Sequence, residues 1–192
     1  MMKKNKTDNK SISKFLSLIL RHKPEAVGAK LDGNGWADTK TLIRQINDYS
    51  KNKFLNLDLL KEIVVENNKQ RFELNEDSTK IRARQGHSLS NVDLELKPQT
   101  PPDVLYHGTV QKFLESIYDK GLIKGKRQYV HLSADIKTAE MVGSRRGKAF
   151  ILFVDAKQMH DDGILFYCST NGVWLTNYID PKYIGKIWVE RT

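Results

Sequence analysis

Apolar residues recur at helical spacing early in the chain. Ile12, Phe15, Leu16, Ile19 and Leu20 fall at i, i+3, i+4, i+7 and i+8, which predicts one buried stripe on an amphipathic helix. Pro24 disfavours helical geometry at Lys23 and so ends that helix at Arg21 and His22. Residues 1–10 are polar and are expected to fray. Leu31-Asp32-Gly33-Asn34-Gly35-Trp36 then reads as a turn that delivers a buried tryptophan. A second helix carries Leu42, Ile43 and Ile46 behind a cap at Asp38 or Thr39. A third carries Leu59, Leu60, Ile63 and Val64, with Asp58 in the cap position. Two short extended runs, 70–74 and 80–84, are joined by Asn75-Glu76-Asp77-Ser78, a hairpin signal. Three helices followed by a two-stranded wing describe a winged-helix-like module over residues 1–97.

The period then changes. Lys97-Pro98-Gln99-Thr100-Pro101-Pro102 holds three of the five prolines and reads as a linker. Beyond it, β-rich runs occupy 104–107, 129–132, 149–154, 164–167, 173–175 and 187–189, with Asn171-Gly172 as a hairpin turn. Two helices interrupt them: 111–120, closed by Gly121, and one from Asp135 to about Arg145, capped by Ser133 or Asp135. Residues 98–192 are therefore expected to form a mixed α+β domain with a mostly antiparallel sheet.

Composition narrows the class. A 192-residue chain with 39% hydrophobic and 29% charged residues is that of an ordinary globular protein of one large or two small domains. No run approaches the roughly 20 apolar residues that span a bilayer, and no cleavable leader is recognised, so a soluble, cytoplasmic protein is expected. Cys168 is the only cysteine, which excludes an intrachain disulfide and a thiolate-rich zinc site. Net charge is +9, and residues 1–97 hold 19 basic and 13 acidic side chains, so that half is the better candidate for gripping a polyanion. Arg71, Lys80, Arg82 and Arg84 give the wing a basic edge, which serves equally well as protection of a hairpin edge or as phosphate contact.

Conventional catalytic motifs are missing. No G-x-G-x-x-G follows a strand, no Walker loop is present, and no Ser-His-Asp order stands out. Cys168 lies in an apolar run and reads as packing. Arg21 and His22 place a fixed cation beside a group that titrates near neutral pH, at a helix end where cations also complement the carbonyl dipole. His87, His107 and His131 sit beside turn or strand-end residues, whereas His160 lies with Asp161 and Asp162 in an expected surface loop. Gly143-Ser144-Arg145-Arg146-Gly147-Lys148 groups three cations between glycines, an arrangement suited to phosphate. Together with Arg21, His22 and Arg71, these three cations form a set rich in guanidinium and poor in carboxylate. Such a set suits chemistry on a phosphate that is already anionic.

Read in order, the segments resemble the tRNA (RNA) 2′-phosphotransferase family. The resemblance is carried by Leu20-Arg21-His22-Lys23-Pro24, Asp32-Gly33-Asn34-Gly35-Trp36, Arg71-Phe72 and Arg84-Gln85-Gly86-His87-Ser88. In the second half it is carried by Tyr106-His107-Gly108-Thr109, His131-Leu132-Ser133, Val142-Gly143-Ser144-Arg145 and Asn171-Gly172-Val173-Trp174-Leu175-Thr176. The resemblance implies a winged-helix-like RNA-binding lobe and an ADP-ribosyltransferase-fold lobe that binds NAD. The implied reaction moves an internal RNA 2′-phosphate to NAD with release of nicotinamide, giving 2′-OH RNA and ADP-ribose 1″,2″-cyclic phosphate.

The same resemblance implies catalytic roles for Arg21, His22, Arg71 and Arg145, with the arginines on the phosphate and His22 transferring a proton. It implies NAD contacts at His107, Gly108, Thr109, His131, Leu132, Ser133 and Val173. Arg82, Arg84, Arg146 and Lys148 are the expected RNA contacts, and Arg146 competes with Arg145 for the essential role. NAD as co-substrate, RNA bearing a 2′-phosphate, no metal and a monomer are expected. Two other functions fit the same residues: an ADP-ribosyltransferase that caps nucleic-acid terminal phosphates, and a non-catalytic winged-helix RNA-binding protein.

Overall fold

In the computed structural model, which describes residues 6–50, 55–67 and 70–187, the first apolar stripe becomes the helix α1, Lys6–Arg21. Leu16, Ile19 and Leu20 are fully buried on it, and each contributes about 2 kcal/mol by leaving water. Phe15 is half-buried and stacks on the Tyr49 ring at 5.4 Å. α1 begins inside the stretch expected to fray, and residues 1–5 lie outside the described residues. It stops as Pro24 dictates. His22 and Lys23 both donate their N–H to the Leu18 carbonyl, and Pro24 starts a 3₁₀ turn, Pro24–Val27.

By contacts the chain divides into two units, Met1–Glu95 and Leu96–Thr192. The first contains, after α1, the strand β1 (Ala37–Asp38), helices α2 (Thr39–Ser50) and α3 (Leu57–Val65), and strands β2 (Phe72–Leu74) and β3 (Lys80–Ala83). The expected two-stranded wing is a three-stranded antiparallel sheet in the order β1-β3-β2, because Ala37 and Asp38 pair with Ile81 and Lys80. Asp38 caps α2, accepting from Thr41 N at 2.7 Å. The cap of α3 is Asn56, which accepts from Leu59 N at 2.9 Å, while Asp58, expected to cap, sits inside the first turn. Trp36, expected to be buried, is half-exposed beneath the Arg82 guanidinium, 4.4 Å from the ring centroid.

In the second unit the expected linker is docked. Gln99 N donates to Phe166 O at 2.8 Å, Pro98 bridges Tyr167, and Pro101 is buried. Strand β4 (Val104–Val110) follows, then a 3₁₀ turn into α4 (Leu114–Lys120), β5 (Leu122–Ile123) and β6 (Val130–Leu132). Helix α5 (Ile136–Gly143) is capped by Asp135 and runs into the 3₁₀ turn Ser144–Arg146. Next come β7 (Ala149–Asp155), α6 (Ala156–Asp161), β8 (Tyr167–Cys168), β9 (Trp174–Thr176), β10 (Tyr178–Ile179) and β11 (Ile184–Ile187). α6 was not expected. Asp155 caps it by accepting from Gln158 N, Ala156 and Met159 anchor it, and His160 lies on it, half-buried, rather than in a loop. The run 164–167 is strand only at Tyr167, since Ile164 N is taken by Met159 O at the end of α6. Most of the expected strand 187–189 lies outside the described residues.

Every strand pairing in the described residues is antiparallel, in sheets β11-β7-β4, β6-β9-β8 and β10-β5. Tyr106 and Ser133 exchange backbone bonds of 2.9 and 2.8 Å and so join β4 to the end of β6. Leu105, Leu132, Leu152 and Phe166 lie at the centre of the core. α5 rests on β4 with no side chain between them: a Cβ at Gly108 would stand 1.8 Å from the Ala139 carbonyl oxygen. No helix among the described residues is long and apolar enough to cross a membrane.

Candidate functional site

In the first unit, three of the expected residues converge at the end of α1. Arg21 Nη2 donates to the Arg71 carbonyl at 3.4 Å, and Arg84 N donates to the same oxygen at 2.9 Å. His22 Nδ1 and Ser88 Oγ are hydrogen-bonded at 3.0 Å, while Ser88 N donates to the Arg21 carbonyl at 3.0 Å. The segment that brings Ser88 there turns at Gly86. Its φ of +88° suits a residue without Cβ, and a Cβ would meet Arg21 Nη1 at 3.5 Å. Arg71 Nη1 donates to Asn67 Oδ1 at 3.2 Å.

His87 lies behind this cluster with no exposed surface, and neither ring nitrogen has a hydrogen-bond partner. Burial, reinforced by the charges of Arg21, His22 and Arg82, pushes its pKa down to about 4, so the ring is neutral at physiological pH. Arg82 and Arg84 are held on one carboxylate. Glu73 takes Arg82 Nε at 2.5 Å and lies 3.6 Å from Arg84 Nε. Part of the charge of these two residues is therefore offset within the sheet.

In the second unit, β4 and β6 present the paired histidines. His107 Nδ1 donates to the His131 carbonyl at 3.1 Å, and His131 Nδ1 donates to the Tyr129 carbonyl at 3.0 Å. A carbonyl only accepts, so both rings in their neutral form carry the proton on Nδ1 and leave Nε2 as an acceptor. His107 is kept below its ordinary pKa chiefly by burial; the His131 carbonyl opposes this, and Arg127 and Arg146 add to it. Thr109 is buried on β4 beside Gly108. The Leu132 side chain belongs to the core, so only its backbone can face a ligand. Ser133 is fixed by its exchange with Tyr106, and Val173 by bonds to Ser169, whose N–H reaches its carbonyl at 2.9 Å.

Arg145 and Arg146 lie on the turn after α5, exposed, with Lys148 exposed two residues on. The Arg146 guanidinium is 6.0 Å from the Phe113 ring centroid. Arg127, to which no role was given from the sequence, joins them. Partial burial and the charges of Arg146 and Arg145 hold it below its ordinary pKa. None of these three arginines makes an ion pair with a described carboxylate. Such an unbalanced cluster attracts an anion. Sequence reasoning also gave no role to Asn67, His87 or Ser88. His87 and Ser88 lay inside a quoted motif, whereas Asn67 carried no signal at all.

Residues 7–178 match the model of the RNA 2′-phosphotransferase, Tpt1 / KptA family. The chain is 51% identical over 178 residues to a protein of Acaryochloris marina named probable RNA 2′-phosphotransferase, covering 93% of this chain and 97% of that one. It is 55% identical over 180 residues to one of the same name in Flavobacterium johnsoniae, covering 94% and 97%. A third, from Fusobacterium nucleatum, is 52% identical over 174 residues, covering 90% and 96%. The family model and the names of these relatives make the protein a transferase. The chain belongs to the RNA 2′-phosphotransferase, Tpt1 / KptA family.

Proposed function

We propose that this protein is a NAD-dependent RNA 2′-phosphotransferase. It moves an internal RNA 2′-phosphate onto the ADP-ribose part of NAD, releasing nicotinamide, 2′-OH RNA and ADP-ribose 1″,2″-cyclic phosphate. The reading is carried by the bond from Arg21 to the Arg71 carbonyl and by Ser88, which holds both His22 and the Arg21 carbonyl, in a chain matched to the family over residues 7–178. In the first unit, a winged-helix-like lobe in this reading, Arg21 and Arg71 offer the forked donors that fit a phosphate. His22, oriented by Ser88, supplies the proton that the departing RNA 2′-oxygen needs.

In the second unit, an ADP-ribosyltransferase-fold lobe in this reading, the residues suit a dinucleotide. His107 and His131 have their Nδ1 protons committed to carbonyls and so present fixed Nε2 acceptors. Gly108, Thr109, Leu132, Ser133 and Val173 line the same strands and turns. Arg145, with Arg146 and Arg127, supplies positive charge where negative charge develops on the transferred phosphoryl group. Arg82, Arg84 and Lys148 contact the RNA backbone. Arginines here do the charge work that a metal does elsewhere, so EDTA leaves the rate unchanged.

The test is incubation with NAD and a short RNA bearing one internal 2′-phosphate, with the RNA products resolved. Conversion to 2′-OH RNA, lost in Arg21→Ala and Arg145→Ala, is the expected result. An ADP-ribosylated strand that persists would overturn the assignment of the second step. An unchanged strand would overturn the enzyme reading.

A further inference from the structure

Beneath Arg71 runs a buried polar relay that leads back to the helix carrying Arg21. Asn67, 8% exposed, follows the end of α3, and its Oδ1 accepts from Arg71 Nη1 at 3.2 Å. Its Nδ2 donates to Ser13 Oγ at 3.0 Å. Ser13 is itself buried on α1, two turns before Arg21, and its carbonyl accepts from Ser17 Oγ at 2.9 Å. The orientation of the amide is fixed by chemistry. A guanidinium only donates, so the amide atom that faces it is the oxygen, and the NH₂ group is directed to the serine. Arg71 is thus held at both ends. Its carbonyl is gripped by Arg21 and Arg84 N, and its guanidinium by Asn67.

We propose that Asn67 is a positioning residue for Arg71: its buried amide, anchored on Ser13, sets the direction in which the Arg71 guanidinium is presented to the substrate phosphate. The proposal rests on the functional reading above. Two physical arguments support it. An arginine side chain carries much rotamer entropy, and a fixed acceptor removes that freedom before the phosphate arrives. An amide does so without cancelling charge. A carboxylate at the same place would pair with the guanidinium in a fork and compete with the phosphate for it. Asparagine is therefore the side chain that can aim Arg71 and leave it cationic.

The experiment compares Asn67→Ala, Asn67→Asp and Ser13→Ala with the intact protein, in the 2′-phosphate removal assay and by nitrogen-15 NMR of the Arg71 guanidinium. In the intact protein the expected result is slowed rotation about the Arg71 Cζ–Nη1 bond, with resolved signals from the Nη1 protons. In Asn67→Ala those signals merge, and kcat falls between about tenfold and a hundredfold with the KM for NAD unchanged. Asn67→Asp keeps the resolved signals but raises the KM for RNA. Ser13→Ala loses the anchor and not the acceptor, so it loses less than Asn67→Ala. In Arg71→Ala, adding Asn67→Ala costs nothing further, because the residue through which Asn67 acts is gone.

Losses that multiply in the double variant, or a KM for NAD that rises with a fall in Tm, would reduce Asn67 to a structural role and overturn the proposal. Identical NMR signals in the intact protein and Asn67→Ala would overturn it as well. If the NMR contrast appears but the intact protein leaves the 2′-phosphate in place, the functional reading falls and the positioning of Arg71 stands.

Discussion

Replacing His87 by Phe is expected to flatten the acid side of the stability profile. In the folded protein His87 has a pKa of about 4, against about 6.5 when exposed. Between these values the unfolded chain binds a proton that the folded chain refuses, so stability is complete above about pH 6.5 and is lost as pH falls toward 4. The full difference corresponds to about 3 kcal/mol, and about 2 kcal/mol of it is lost between pH 7.5 and pH 5. The groups facing the ring leave no route to relief. Arg21 and His22 come from the end of α1 and Arg82 from β3, all positive on protonation, and Gly35 lies against Nε2 without a side chain.

The measurement is urea unfolding at pH 7.5 and pH 5 for both proteins, with the His87 ring followed by NMR. Burial raises Asp32 but is outweighed by hydrogen bonds from Trp36, Asn34 and Lys80, and hydrogen bonds hold Asp38, Asp135 and Asp162 down, so all four lie below the ordinary carboxylate value and below this window. His107 is shifted in the same direction as His87, but it contributes to both proteins and cancels in the comparison. Only the difference in slope is read, because phenylalanine also changes packing. An unchanged slope in His87→Phe, or a His87 titration near pH 6.5 in the folded protein, would refute the reasoning.

Other expectations follow from single contacts. Gly108→Ala drives a methyl group into the Ala139 carbonyl and should cost roughly 3–5 kcal/mol, seen as a large fall in Tm or as insoluble protein. Asn56→Ala should lose about 1 kcal/mol by chemical unfolding, while Asp58→Ala should lose much less, because Asn56 makes the capping bond. Arg127→Ala relieves repulsion among three arginines that pair with no described carboxylate, so the ligand-free Tm should hold or rise. In the same variant the Tm increase produced by ADP-ribose should shrink, which differential scanning fluorimetry reads directly.

Strongly periodic features could be read from the sequence. The stripe of α1 and its stop at Pro24 follow from side-chain spacing and from a ring that cannot continue a helix, and both occur as expected. The long pairing of β4 with β7 rests on two apolar runs of which only the ends were shortened in the reading. Short elements set by long-range pairing were not legible. β1 is a two-residue strand that exists because Ile81 and Lys80 lie opposite it. α6 is too short for a helical period to declare itself, and it starts from an aspartate that also ends β7. The proline-rich segment looked like a free linker because proline content reports stiffness and not contacts, and here Gln99 and Pro98 are bound to the segment leading into β8.

The site divides in the same way. Arg21, His22 and Arg71 stood out as charged residues in motifs, whereas the bond from Arg21 to the Arg71 carbonyl and the part Ser88 plays in holding His22 required the structure. Asn67 and Arg127 act through where they are placed. A buried amide after a helix end and an arginine in a turn both look like ordinary loop residues until their neighbours are seen.

The contact of α5 with β4 bears on how this protein can drift over time. Wherever side chains separate two elements, exchanging a larger residue for a smaller one shifts them by a fraction of an ångström. At Gly108 and Gly143 there is nothing to exchange: a Cβ at Gly143 would meet the Thr109 carbonyl oxygen at 3.0 Å, and one at Gly108 would strike Ala139. The spacing between strand and helix therefore has a single setting, given by the thickness of two backbones. His107 immediately precedes Gly108, and Arg145 follows Gly143 by two residues, so both are mounted on that gauge. Substitutions through the surrounding core can accumulate freely while the interval between these two side chains' anchoring points stays where it is.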